Sequence, residues 1–287
     1  MLRITYKITK RDSKMSLGNF LRKQDLSRKA ITVIKHRGGI ITVNNEKQTT
    51  RCLLSEGDEV SLTFPKEKPK RTLAPVKMAL NVVYEDDFIL VVDKAAGMPS
   101  VPTGHHEASL ANGILAHYEA TGLASAVHFV NRLDKNTSGL LLVAKYRHIH
   151  HLLTTDPQKI VRKYYALVAG VLKDGGVIDA KIHRPSVTSV KRVVDETGQH
   201  ARTHYEPVQT TGASTLVRCT LETGRTHQIR VHLSHIGHPI LKDPLYGDGA
   251  AGDRQLLHSY FLGFTHPITG EQLSFETDVP ARFEGLE

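Results

Sequence analysis

Two apolar runs joined by a short polar turn constrain this chain more than any other feature. Val127, Phe129 and Val130 precede the turn and residues 140–143 follow it, with Asn131-Arg132-Leu133-Asp134-Lys135-Asn136-Thr137-Ser138-Gly139 between them. Such runs read as buried strands, while Asn136, Ser138 and Gly139 favour irregular backbone. The turn therefore fixes one carboxylate, Asp134, between Arg132 and Lys135 at the end of a rigid scaffold. A lone acid held this way is a candidate for chemistry. A hairpin turn with a salt bridge is the plainer alternative, and the rest of the chain has to decide between them.

At 287 residues, with 40% hydrophobic and 23% charged residues, the chain has the balance of a globular protein with a sizeable core. Its aliphatic and aromatic runs, such as residues 88–92, are too short to span a bilayer. The first residues lack the apolar core of a signal peptide. Cys52 and Cys219 show neither disulfide nor metal spacing, so a reducing cytoplasm is the expected location. The net charge of +9 is unevenly spread. Residues 1–75 hold 17 lysines and arginines against 7 acids, and the remainder holds 21 against 22. A small basic module ahead of a near-neutral body suggests a grip on a polyanion, most simply nucleic acid.

The composition divides the chain into residues 1–64, a linker over 65–75, and residues 76–287. In the first part, Leu17, Phe20 and Leu21 have helical spacing. Ser27 is placed to cap a second helix over residues 28–37, with Ile31 and Ile34 inward and Arg28, Lys29, Lys35 and Arg37 supplying charge. A strand over residues 40–43, a tight Asn44-Asn45 turn, and alternating Val60, Leu62 and Phe64 complete the module. Two short helices and a basic hairpin resemble the S4 RNA-binding module. Pro65-Lys66-Glu67-Lys68-Pro69-Lys70-Arg71 reads as a stiff, solvated linker. Beyond it, short strands alternate irregularly with a few helices and show no βαβ period. The expected class is α+β: a small α/β module, then a mixed, largely antiparallel sheet with flanking helices.

Three further segments in the second part carry chemistry-bearing residues. They are Asp93-Lys94-Ala95-Ala96-Gly97, the strand Arg162-Lys163-Tyr164-Tyr165, and Gly224-Arg225-Thr226-His227-Gln228-Ile229-Arg230. In the last, Ile229, Leu233 and Ile236 form one helical face, and Gly237 is placed to end the helix.

Arg132-Leu133-Asp134-x-x-Thr137-Ser138-Gly139-Leu140 together with Gly224-Arg225-Thr226-His227-Gln228-Ile229-Arg230 resembles the RluA-type family of RNA pseudouridine synthases. Asp93-Lys94-x-x-Gly97 upstream, Lys163 with Tyr165, and Gly198-x-x-Ala201-x-Thr203 follow the same order, and the likeness spans about residues 80–280. Asn131 and Ala95 depart from it, where histidine and proline are common. The resemblance implies an isomerase that needs no cofactor and no metal and acts on structured ribosomal or transfer RNA. It implies a monomer that does not engage membranes. Asp134 would attack C1′ of the ribose or remove the C2′ proton, and the residues do not choose between these. Arg230 would keep Asp134 ionised, with Arg225 as the alternative. Tyr165 would lie against the base. Arg132 would occupy the space of the flipped uridine, and Lys94 and Lys135 would contact the backbone.

Seventeen histidines invite a rival. His227, His232, His235 and His238 could suggest a metal-dependent hydrolase, but no carboxylate joins them at a ligand spacing such as His-Glu-x-x-His. A second rival is an RNA-binding or assembly factor with an inert catalytic domain. Asp134, Tyr165 and Arg230 together argue against it.

Overall fold

Two serines start the helices of the N-terminal unit in this computed structural model, which describes residues 1–67, 73–102, 108–156 and 159–283. Residues 68–72 of the expected linker lie outside the described residues. Ser16 Oγ accepts from Asn19 N at 3.3 Å and opens helix α1 (Leu17–Lys23). Ser27 Oγ accepts from Ala30 N at 3.1 Å and opens helix α2 (Arg28–His36). Each cap satisfies a backbone donor that the first turn leaves open. Strands β1 (Arg3–Lys7), β2 (Ile40–Val43), β3 (Glu46–Lys47) and β4 (Glu59–Thr63) form an antiparallel sheet in the order β1-β4-β2-β3. Asn44 and Asn45 both take positive φ, at 51° and 67°, in the turn between β2 and β3. Leu17, Phe20, Leu21, Ile31, Ile34, Val60 and Leu62 share one buried core. The helices thus spend their apolar faces on the sheet, leaving Arg28, Lys29, Lys35 and Arg37 exposed. Residues 1–74 and 115–127 group as this unit, and residues 75–114 and 128–283 as the second.

In chain order the second unit runs β5 (Asn81–Glu85), β6 (Ile89–Lys94), helix α3 (Leu110–Ala120), whose latter half groups with the first unit, β7 (His128–Phe129) and β8 (Ser138–Ala144). Then come α4 (Arg147–Thr155), β9 (Val161–Ala169), β10 (Gly176–Asp179), β11 (Ile182–His183) and β12 (Val193–Val194). The chain closes with β13 (Arg202–Thr211), β14 (Ser214–Leu221), α5 (Gln228–His235), β15 (Leu257–Thr265) and β16 (Gln272–Glu276). The main sheet is ordered β10-β13-β14-β9-β15-β8-β6-β5. Its pairs are antiparallel except β8 with β15. All of β8 is buried, and so is β6 from Ile89 to Val92. Strands covered on both faces lose alternation and read as continuous apolar runs. The architecture is α+β, as expected.

The parallel pair anchors the polar turn. At Gly139, with φ 108°, a Cβ would lie 2.2 Å from the Ser259 carbonyl oxygen, so only glycine lets β8 meet β15 directly after that turn. The contact fixes the C-terminal end of the Asp134 turn against the middle of the sheet.

Candidate active site

The turn carrying Asp134 is braced from several sides. Ser100 Oγ donates to Leu133 O at 2.7 Å and accepts from Leu133 N at 3.3 Å. Asn131 Oδ1 accepts from Leu142 N at 2.8 Å, and Thr137 N donates to Asp134 O at 3.1 Å. Gln255 Nε2 donates to Thr137 Oγ1, and Asn136 Nδ2 to Asp253 O. Such a turn has little freedom left, which is what a positioned carboxylate requires.

Lys94 belongs to this bracing, which corrects its expected contact with the RNA backbone. It is 1% exposed, and its ammonium donates to Ala95 O, Met98 O and Lys135 O at 3.0, 2.8 and 3.1 Å. A buried cation must find acceptors, and two carbonyls after β6 and one in the turn supply them. Arg132 and Lys135, by contrast, are exposed on either side of Asp134.

Arg230 is buried on α5, yet its guanidinium reaches two carboxylates. Nη1 donates to Asp134 Oδ2 at 2.9 Å, while Nε and Nη2 fork onto Asp243 at 2.7 and 2.8 Å. Arg225 does not compete for Asp134. It is exposed, and its Nε donates to His200 O at 2.9 Å. Burial works against the Arg230 charge, but Asp243 and Asp134 more than offset it and hold its pKa above the usual arginine value. Burial likewise opposes ionisation of Asp243. The Arg230 fork and backbone donors at Leu245 and Tyr246 overcome it and hold the carboxyl below the usual range.

His227 caps α5 in the left-handed region at φ 59°. Its Nδ1 lies 2.9 Å from the Tyr246 hydroxyl, and its Nε2 lies 3.7 Å from Asp134 Oδ2. Burial pushes the imidazole pKa down, against the pull of Asp134. The Tyr246 hydroxyl also accepts from Arg192 N at 2.7 Å, and the Arg230 guanidinium lies 5.1 Å over the Tyr246 ring. Gln228 ties the start of α5 to the sheet, accepting from Thr223 Oγ1 and Arg225 N and donating to Arg202 O and Thr203 Oγ1. His232 engages Thr203 Oγ1 and Ala180 O through its two ring nitrogens. Among the described residues no cluster of three His, Cys, Asp or Glu is arranged to hold a metal.

Tyr165, the expected tyrosine, does not line the cleft that holds Asp134. A strand sends successive side chains to opposite faces. Tyr165 stacks on Tyr260, with ring centroids 4.0 Å apart, and Lys163 sits 4.7 Å over Phe261 on the same side. Tyr164 and Arg162 instead line the cleft that holds Asp134. Burial raises the Tyr164 pKa, outweighing the Arg162 charge and a hydrogen bond with Ser259 that lower it, so the phenol is neutral near pH 7. The two tyrosines are adjacent in sequence, and only their strand partners decide which one faces the carboxylate.

Asp134, Tyr164, Arg162, His227 and Arg230 share a cleft of about 630 Å³, rimmed by Arg132, Lys135 and Arg225. Asp243 was missed from sequence. Its only signal is the Asp243-Pro244-Leu245-Tyr246 turn, in which its carboxylate accepts the following backbone donors.

Comparison with known proteins identifies the family of this chain. A family model described as RNA pseudouridylate synthase matches residues 88–235. An uncharacterized RNA pseudouridine synthase of Bacillus subtilis (strain 168), YjbO, is 39% identical over 272 residues, covering 93% of this chain and 96% of that protein. Ribosomal large subunit pseudouridine synthase D of Pseudomonas aeruginosa is 37% identical over 265 residues, covering 86% and 82%. Among solved structures, human RNA Pseudouridylate Synthase Domain Containing 4 shares the fold at a TM-score of 0.59 and 23% identity, covering 71% of this chain and 90% of that one. The likeness takes in both long motifs and most of the second unit, and this chain belongs to the RNA pseudouridylate synthase family of isomerases.

Proposed function

We propose that this enzyme converts specific uridines to pseudouridine in ribosomal RNA, with Asp134 as the reacting carboxylate. The observation that carries this reading is the Asp134–Arg230 ion pair, backed by buried Asp243, in a cleft that also holds Tyr164. The choice of ribosomal over transfer RNA rests on relatives named for the large ribosomal subunit, such as those of Pseudomonas aeruginosa and Neisseria meningitidis.

The reaction breaks the bond from C1′ to N1, forms one from C1′ to C5, releases the C5 proton and returns a proton to N1. Atoms and oxidation state are conserved, so no cofactor is invoked. Asp134 opens it by attack at C1′ or by taking the C2′ proton, and either role needs an ionised carboxylate, which Arg230 favours. Tyr164 takes the place expected of Tyr165, against the base and within reach of the C5 proton. The uridine must leave its stack, at a cost of a few kcal/mol. Arg132 fills the vacated space, since a planar guanidinium can both stack and pair with phosphate. Lys135 and Arg225 contact the backbone at the rim.

Residues 1–64 act as an S4-like module that grips structured RNA through Arg28, Lys29 and Lys35 on α2 and Arg37 at its C-terminal cap. Changing these four to Gln is expected to weaken RNA binding and to lower the salt slope by up to about 0.9 per lost phosphate contact. A filter-binding salt series reads both, and an unchanged slope would remove the module from the binding surface.

Tyr164→Phe is expected to slow isomerisation on the order of 10²-fold or more. Tyr165→Phe keeps its ring on Tyr260 and should stay within about twofold. Single-turnover rates of the two variants decide the assignment, and the reverse ranking would return the role to Tyr165. The substrate is tested by treating ribosomal and transfer RNA pools, from cells lacking the protein, with the purified enzyme. New pseudouridine confined to ribosomal RNA is expected, and conversion confined to transfer RNA would overturn the choice.

A further inference from the structure

The cleft contains a cation that the isomerase chemistry leaves unused. Arg162 lines the same cleft as Asp134, two residues before Tyr164 on one face of β9. Each neighbouring cation in or beside the cleft has an assigned partner or position. Arg230 is spent on two carboxylates, Arg225 holds His200 O, and Lys94 holds three carbonyls. Among the described residues Arg162 has neither a side-chain hydrogen bond nor an ion pair, and its Nε is shut off from solvent without a partner. An Nε cut off from water with no acceptor is a costly state that an anionic ligand would relieve.

The cleft is also shaped around this side chain. A Cβ placed on Gly224 would lie 2.8 Å from Arg162 Nη1. Gly224 has no left-handed φ to explain it, so its missing side chain serves the space that the guanidinium occupies. Gly224 begins the same segment that delivers His227 and Arg230, so Arg162 is fitted between the two motif-bearing walls.

We propose that Arg162 binds a backbone phosphate of the substrate RNA adjacent to the reacting uridine, and that Gly224 is the gap that admits its guanidinium. The inference rests on the isomerase reading of the cleft and adds a phosphate subsite to it. Two residues along a strand separate Arg162 from Tyr164 by about 6.6 Å. With Tyr164 against the base, that step leads away from the base and toward the sugar–phosphate. A uracil carbonyl would accept a hydrogen bond but leave the charge unneutralised. A phosphate satisfies both, and its oxygens match the guanidinium fork.

The test measures tritium release from ribosomal RNA labelled at uridine C5, prepared from cells lacking the protein, across a series of salt concentrations. Arg162→Gln is expected to lower kcat/KM about 10- to 100-fold through KM. The slope of log kcat/KM against log salt should fall by about 0.7–0.9, the signature of one lost phosphate contact. Gly224→Ala should displace the guanidinium and reproduce part of the loss without changing the melting temperature. Combined with Arg162→Gln it should add nothing, because both act on one contact. An unchanged slope, a loss confined to kcat, or additive losses would each overturn the phosphate subsite. The wild type in the same assay separates the two readings. If it releases no tritium, the isomerase reading fails and the inference with it. If it turns over while Arg162→Gln keeps the wild-type KM and slope, the inference alone fails.

Discussion

Arg230→Met is expected to cost about 3–5 kcal/mol of stability and to abolish isomerisation. The Asp243 side chain has 0% exposure and both its oxygens accept from the Arg230 fork, so removing the guanidinium leaves a buried carboxylate with only backbone donors. For a unit of this size the melting temperature should fall by roughly 10 °C. Adding Asp243→Leu replaces the broken pair by apolar atoms and should recover much of that loss. Activity should stay absent in both variants, because Asp134 has lost the donor at 2.9 Å in each. Arg230→Lys keeps the charge but cannot span two carboxylates as a fork does, and it should fall between. The pH dependence has a definite sign. Asp243 is held below the usual carboxylate range, so its contribution is complete above about pH 4 and fades as the pH falls through the lower folded-state value. The double variant should lack that acid limb. Thermal melts across pH 2–7 read both effects, and a wild-type melting curve for Arg230→Met would contradict the ion-pair chain.

Much of the fold was legible because local rules agreed with the final packing. Ser27 and the Asn44-Asn45 turn act as their side-chain chemistry dictates, and each ends up at the helix start or turn expected for it. The strand β1 gave no such signal. Arg3–Lys7 is a sheet edge with only Ile4 fully buried, and its pairing with β4 spans more than fifty residues of sequence. Strand order in the large sheet was equally hidden, since the partners of β8 come from opposite ends of the second unit.

The site divides along the same line. Asp134 and Arg230 were readable because each lies in a long motif that fixes its element. Their meeting, 96 residues apart in sequence, is a 2.9 Å contact in the structure. Tyr164 and Tyr165 could not be separated by pattern, because β9 is packed on both faces and either tyrosine has a plausible burial. Lys94 misled for a related reason. A lysine after a strand reads as surface charge, and only the three carbonyls converging on its ammonium explain why it is inside. Asp243 was silent because a carboxylate in an Asp-Pro turn usually serves the turn alone.

Asp134→Asn is expected to lower isomerisation on the order of 10⁴-fold or more while leaving the fold intact. The amide keeps the size of the carboxylate and one oxygen for Arg230 Nη1, and the side chain is 28% exposed, so the change strains little. It cannot attack C1′ or accept the C2′ proton, whichever route operates. RNA affinity should stay near the wild-type value, because Arg132, Lys135 and the α2 cations are untouched. The deciding measurement is single-turnover tritium release from C5-labelled ribosomal RNA of cells lacking the protein, with wild type and Asp134→Asn at equal bound RNA. Release by wild type and none by the variant is the predicted result. Release at comparable rates by both would contradict the assignment of Asp134 as the reacting carboxylate.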